Sequence, residues 1–488
     1  MKFRKLIAVL LSALMIASAV PFAFVSAAEG TPANPNVAFV ADSAADGGDG
    51  TLAKPFNSLY SAFEKLAKSG GVVVVIGVCS LFEGLGEVMP VTEKHITVTS
   101  YYDGVDYRAK KYASEEVGAR IDFLIGPTTS FALHGDVTFD YINFSVGSTT
   151  KNVIITANFN DLTITENCAT LFEEIDGTVW YDGSFYLDNN ARTYAPIILT
   201  GENVQPGGKT VVCDQVVNIF GGIWNSIRIG DRDNVSRNTY DGKVTLNIDG
   251  ANTRFVQYTG AHKTNNLCVM GNYQASTTKD FVATVNIKNG IFDGQINGFG
   301  YPGGVTPEPQ LNEGTININI TGGKFNRSYG GEDGVGNIIY MAQVPHGFTT
   351  SKGYISEYGE TAVVNLYIDP TNLTYGENDG LIVYGDESAK CNLTVASDKG
   401  ITAEGVEMKV SANVGPDAPV VTDAPVVTDA PVVTTVAPVV TDAPVVTTAA
   451  PAQPEPTPST GDASVLVVFA AAAVLCVAAV VVIKKKEN

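Results

Sequence analysis

Val217-Asn218-Ile219-Phe220-Gly221-Gly222-Ile223-Trp224 returns as Val285-Asn286-Ile287-Lys288-Asn289-Gly290-Ile291-Phe292, and again as Ile318-Asn319-Ile320-Thr321-Gly322-Gly323-Lys324-Phe325. Leu246-Asn247-Ile248-Asp249-Gly250 and Val364-Asn365-Leu366 are looser copies, and the five asparagines stand 29, 39, 33 and 46 residues apart. A constant core motif with unequal insertions is the pattern of stacked β-solenoid turns. Each turn buries its apolar side chains on the next, and surplus residues become loops. Side chains alternate along a strand, so the two apolar neighbours of each asparagine share the inner face and the asparagine points out. Glycine then turns the corner, and an aromatic residue returns to the core in three of the five copies. Stacked in register, Asn218, Asn247, Asn286, Asn319 and Asn365 form a ladder of amides that hydrogen-bond along the axis. The same row is a candidate glycan-binding face, with loop tyrosines such as Tyr258, Tyr273, Tyr301 and Tyr329 as stacking platforms.

The motif lies within a region of roughly 380 residues, 33–413, long enough for one extended domain or two compact ones. Short apolar runs broken by Gly, Asn and Asp read as strands, among them Val72–Ile76, His95–Thr99, Val137–Phe144, Val153–Ala157 and Leu162–Thr165. Helical periodicity is concentrated in Ser58–Lys68, where Leu59, Ala62, Phe63 and Leu66 fall on one face. Asn57 or Ser58 is the expected cap, and Gly70-Gly71 the stop.

Asp46-Gly47-Gly48-Asp49-Gly50-Thr51, then Lys54-Pro55-Phe56-Asn57-Ser58-Leu59, the amphipathic segment and Gly70-Gly71-Val72-Val73-Val74-Val75 together resemble the entry of pectate-lyase-like proteins. That resemblance covers about 40 residues and implies an all-β, right-handed parallel β-helix with a short N-terminal capping helix. It also implies that Val37–Val40 is a first strand and that the helix covers the open end of the solenoid. A string of β-sandwich modules is the competing architecture.

The ends of the chain carry addresses. Lys2, Arg4 and Lys5, an apolar stretch and the small-residue exit Val25-Ser26-Ala27 make 1–28 a secretory signal peptide. The repeats DAPVVT, DAPVVT, DAPVVTT, VAPVVT and DAPVVTT, starting at Asp417, make 414–456 a low-complexity, disordered stalk whose prolines favour extended polyproline segments. Residues 463–483 are apolar enough to cross a bilayer and are followed by Lys484, Lys485 and Lys486. Thr457-Pro458-Ser459-Thr460-Gly461 resembles the x-P-x-T-G sorting signal of Gram-positive surface proteins, with Thr where Leu is commonest. The resemblance implies that a sortase cuts between Thr460 and Gly461 and joins the chain to peptidoglycan. An uncut membrane anchor is the alternative.

Between the leader and the cut site, 25 Lys+Arg stand against 49 Asp+Glu, a net charge of −24. Phosphate contacts need cations, so nucleic acid is not an expected partner. Five cysteines (Cys79, Cys168, Cys213, Cys268, Cys391) precede the apolar span, widely spaced and without a CxxC pair, as expected of buried free thiols.

Candidate chemistry is sparse. Arg228, Asp231 and Asp233, with Arg232, crowd one segment after a repeat copy. A basic proton abstractor or paired carboxylates is what a polysaccharide lyase or glycoside hydrolase needs. Asp46 and Asp49 are candidate calcium ligands in a Gly-rich turn. No HExxH or GxSxG string occurs. The expected function is a wall-anchored β-helix that binds extracellular polysaccharide or host glycan. A surface polysaccharide lyase or glycoside hydrolase is the alternative, and a structural coat the third reading.

Overall fold

The computed structural model describes residues 35–81, 87–123, 129–146, 153–174, 177–179, 196–201, 209–230, 238–256, 265–270, 276–299, 311–326, 337–342, 357–376, 380–386 and 389–411. The 1–28 leader, the 414–456 stalk, Thr457–Gly461 and the 463–483 run lie outside the described residues. Among the described residues, no helix is long and apolar enough to cross a membrane.

The chain is mostly β, and its strands fall into long parallel sheets consistent with a β-solenoid. Among the described residues, thirteen strands form one sheet, ten form a second, two sets of five form two more, and two strand pairs stand apart. Successive strands visit these sheets in rotation. Ile96–Thr99 joins the long sheet, Arg120–Phe123 a five-stranded sheet and Thr129–Ala132 the ten-stranded sheet, after which Val137–Asp140 returns to the long one. Each strand pairs in parallel with its counterpart one turn on.

Alternation explains the core. Val217, Leu246, Val285 and Ile318 lie opposite one another, as do Ile219, Ile248, Ile287 and Ile320, and all eight are fully buried. Each such side chain contributes roughly 1.5–3 kcal/mol of apolar burial. At the corner, Gly222, Gly290 and Gly323 hold φ of +83°, +117° and +113°, a region that costs a side-chain-bearing residue energy. Past the corner the aromatic residues stand in register, Trp224 opposite Phe255, then Phe292, then Phe325. Phe255 and Phe292 stack at 4.9 Å, and Phe292 and Phe325 at 5.1 Å. The looser copy thus supplies its aromatic too, two residues later than the strict spacing.

The N-terminal end is closed as expected. Val37–Val40 extends the long sheet by pairing with Gly71–Val75. The helix runs Leu59–Leu66, the Ser58 hydroxyl accepts from the Ser61 N–H at 3.2 Å, and Leu59, Ala62, Phe63 and Leu66 are its buried face. Val78–Leu81 is the outermost strand of its sheet. Carboxylates rather than another strand receive its edge: Glu115 Oε2 accepts from Val78 N at 2.9 Å, and Asp42 Oδ2 from Ser80 N. This satisfies donors that an open edge would otherwise present to another chain.

One expected strand divides. Val137–Phe144 is two strands, Val137–Asp140 and Asn143–Val146, in different sheets. Tyr141, at φ +52°, turns the corner between them. No glycine marks the place, so the apolar alternation reads as unbroken.

Candidate functional site

The outer face of the long sheet carries a one-way chain of amides. Asn218, Asn247, Asn286 and Asn319 are opposite one another in four consecutive turns. Each Nδ2 donates toward the N-terminal end: Asn319 to Asn286 Oδ1 at 3.0 Å, Asn286 to Asn247 at 2.9 Å and Asn247 to Asn218 at 2.8 Å. Asn218 completes the run by donating to Thr163 Oγ1 at 3.1 Å. Thr163 lies opposite Thr138, and Thr138 opposite Thr97, so hydroxyls extend the amide row through the first turns.

Asn365 does not continue this row. It sits opposite Asn317, and Tyr367 takes the place opposite Asn319. Asn365 Nδ2 donates to Asn317 Oδ1 at 2.9 Å, and Asn392 Nδ2 to Asn365 Oδ1 at 2.8 Å. The ladder is therefore two ladders, one column apart, that overlap in the strand Thr315–Ile320. The physical reason is that Val364, Leu366 and Ile368 seat opposite Ile316, Ile318 and Ile320, and a two-residue offset leaves the same face outward. Spacing alone does not single out Asn317 or Asn392: Ile316-Asn317-Ile318 repeats the motif immediately ahead of Asn319, and Cys391-Asn392-Leu393 has cysteine in the aliphatic place.

A carboxamide has two N–H donors and an oxygen with two lone pairs. The ladder uses one donor and one lone pair per rung, so each interior rung keeps one of each. Rungs repeat every ~4.8 Å, the strand spacing. From Thr97 through Thr138, Thr163, Asn218, Asn247 and Asn286 to Asn319 the column holds no formal charge before it runs on through Tyr367 and Thr394 to Lys409, and the stretch Val216, Thr245, Thr284, Asn317, Asn365, Asn392 beside it holds none.

The other candidates are not gathered into one place. Arg228 ends the strand Ser226–Arg228 of the ten-stranded sheet, half-buried, between Leu199 and Cys268 in register. Asp231, Arg232 and Asp233 lie outside the described residues, as do Tyr258, Tyr273, Tyr301 and Tyr329. Asp49 is exposed, and the Thr51 hydroxyl together with the Thr51 N–H, which donates to its Oδ1 at 3.0 Å, holds its carboxyl below the usual range. Asp46 Oδ1 accepts from Asn57 Nδ2 at 2.8 Å. Both carboxylates thus build the entry turn. Among the described residues, no three His, Cys, Asp or Glu side chains gather to hold a metal ion.

All five cysteines are free thiols, four of them buried. Burial pushes Cys168 and Cys213 up to about 12 and Cys268 up to about 11, the last partly offset by the Arg228 charge. Such thiols are packing groups rather than nucleophiles at neutral pH. A groove of about 530 Å³ lies beside Thr239, Asp241, Thr277, Lys279 and Glu313, and two of its hydroxyls are already spent. Thr277 Oγ1 donates to the Glu313 carbonyl at 2.7 Å, and Thr278 Oγ1 to Asp241 Oδ1 at 3.0 Å.

No protein-family model, curated protein or solved structure matches this chain.

Proposed function

We propose that this chain is a wall-anchored surface protein whose right-handed, pectate-lyase-like β-helix binds a neutral extracellular polysaccharide along the amide ladder. The observation that carries this reading is the evenly spaced, uncharged donor–acceptor row from Asn218 to Asn319. A neutral glycan offers hydroxyls that both donate and accept, and it needs no counter-charge. A uronate polymer would meet no cation between Thr97 and Asn319 and would approach a domain of net negative charge.

Affinity electrophoresis of residues 29–413 through gels holding hydroxyethyl cellulose, glucomannan or polygalacturonate tests the reading. A neutral polymer is expected to retard the protein, and the retardation to persist from about 0.1 to 1 M salt, where the Debye length falls from roughly 10 to 3 Å. The double variant Asn247→Ala/Asn286→Ala removes two rungs with two ligand bonds each. At about 0.5–1.5 kcal/mol per bond, affinity falls by about 30-fold or more. Retardation by polygalacturonate alone, lost in salt, would overturn the neutral-glycan reading. New reducing or unsaturated ends in the gel would favour the enzyme instead.

Attachment to the wall rests on the order of Thr457–Gly461, the apolar run and the three lysines. Mass spectrometry of wall digests is expected to find a peptide that ends at Thr460 and is joined to peptidoglycan. Recovery of the chain only intact through Asn488 would instead place it in the membrane by its apolar run.

A further inference from the structure

We infer that Tyr101 and Tyr141, backed by Arg108, are a stacking subsite for a pyranose ring at the N-terminal start of the polar row. This inference rests on the neutral-glycan reading and adds to it a place where the chain's apolar sugar face is held. The two rings stack at 4.8 Å with 27° between their planes. Tyr101 stays 42 % exposed, although every neighbour that fixes it is tied down.

Three observations make this a built platform rather than a loose loop. Tyr101 opens a hairpin in which it lies opposite Asp106, and its N–H donates to Thr99 Oγ1 at 3.0 Å. Asp106 grips Arg108 in a two-pronged pair, Nε to Oδ1 at 3.0 Å and Nη2 to Oδ2 at 2.7 Å. Arg108 Nη1 also donates to the Asn167 carbonyl at 2.8 Å, two turns farther along the solenoid. The guanidinium so held lies 4.8 Å from the centre of the Tyr141 ring, within cation–π range. Tyr141 itself occupies the corner with positive φ, a conformation that a bulky residue keeps only when its surroundings impose it.

Position gives the ligand its class. Tyr101 stands two residues after Thr99 and Tyr141 directly after Asp140, and Thr99 and Asp140 are opposite each other at the end of the long sheet's strands. The adjacent outward column begins Thr97, Thr138, Thr163 and leads into Asn218. An exposed aromatic surface beside a line of hydroxyls and amides matches a sugar chain, whose C–H faces stack on rings and whose hydroxyls bond to polar rows. From the turn of Thr97 to that of Asn319 is six turns, roughly 29 Å at ~4.8 Å each. A chain engaging both the platform and the ladder must therefore be long.

The test uses glucomannan and its oligomers of increasing length with the 29–413 protein and its Tyr101→Ala and Tyr101→Trp variants. Tyr101→Ala is expected to weaken binding about tenfold, the scale of one lost ring contact. Tyr101→Trp is expected to bind at least as well as wild type, and the emission of the new indole to shift on adding polymer. Affinity is expected to keep rising along the oligomer series until the chain spans platform and ladder. If wild type binds glucomannan but Tyr101→Ala binds equally and the indole emission is unmoved, the platform is overturned while the ladder reading stands. If Asn247→Ala/Asn286→Ala also leaves that binding unchanged, the ladder reading fails as well.

Discussion

Replacing Phe292 by alanine is expected to cost the central turns about 3–5 kcal/mol. Phe292 is fully buried and is the middle ring of three, 4.9 Å from Phe255 and 5.1 Å from Phe325. Its removal deletes both stacking contacts and leaves a cavity lined by rings that cannot collapse, because each is fixed by its own strand in a parallel sheet. In a solenoid each turn touches only its neighbours, so stability is a sum of turn and interface terms. Weakening one central interface should therefore split unfolding into two steps. Urea unfolding followed by hydrogen exchange checks this: amides of 254–256, 291–293 and 323–325 lose protection first. A single cooperative transition with the midpoint unmoved would show that the aromatic column is not what couples the turns.

The residue beside it has a comparable but electrostatic effect. Asp293 is fully buried; Arg254 Nε donates to its Oδ2 at 2.8 Å and Asn326 Nδ2 to its Oδ1 at 2.6 Å. Asp293→Ala takes the carboxylate from a guanidinium that is only 5 % exposed, and breaking a buried pair on one side costs about 3–5 kcal/mol. The desolvation of both charges is large enough that removing them together costs far less. Arg254→Met/Asp293→Leu is accordingly expected to recover most of the loss, and Asp293→Asn, which keeps an acceptor for Asn326, to lose less than alanine. Denaturation midpoints of the four proteins decide the matter. A double variant no better than Asp293→Ala would mean that the pair is not the source of the effect.

Both residues bear on binding through alignment. The ladder repeats at the strand spacing only while the turns stay in register, and register is held from the inside by the apolar and aromatic columns. The proposed glycan-binding face is the outer side of the long sheet, and the aromatic column lies in the five-stranded sheet that the same turns enter past the corner. A loss of coupling between turns is thus expected to weaken retention of long glycans more than that of short ones.

Much of this architecture is legible in the sequence. The inward pairs around Asn218, Asn247, Asn286 and Asn319, the corner glycines and the capped helix Leu59–Leu66 all follow from side-chain period and backbone freedom, which act over a few residues. Tyr141 was not readable, because a corner made by a non-glycine residue leaves the apolar alternation intact. Asn317 was hidden because a strand with two outward asparagines offers two registers that bury the same face, and Asn392 because cysteine precedes it where the motif has an aliphatic residue. The Tyr101, Tyr141 and Arg108 group joins residues from successive turns, and nothing in either segment alone points to the other.

The sequence by itself determined that the chain is built of repeated parallel turns with asparagine outside and aliphatic and aromatic residues within. Those features are local, set by alternation and by glycine at the corner. Only the tertiary structure decided which asparagine meets which, where the ladder changes column and which tyrosines share a surface. Those outcomes depend on how insertions of unequal length return the chain to the sheet. The apolar columns settle that return by seating against one another, and the outward residues take whatever neighbours the inner packing assigns.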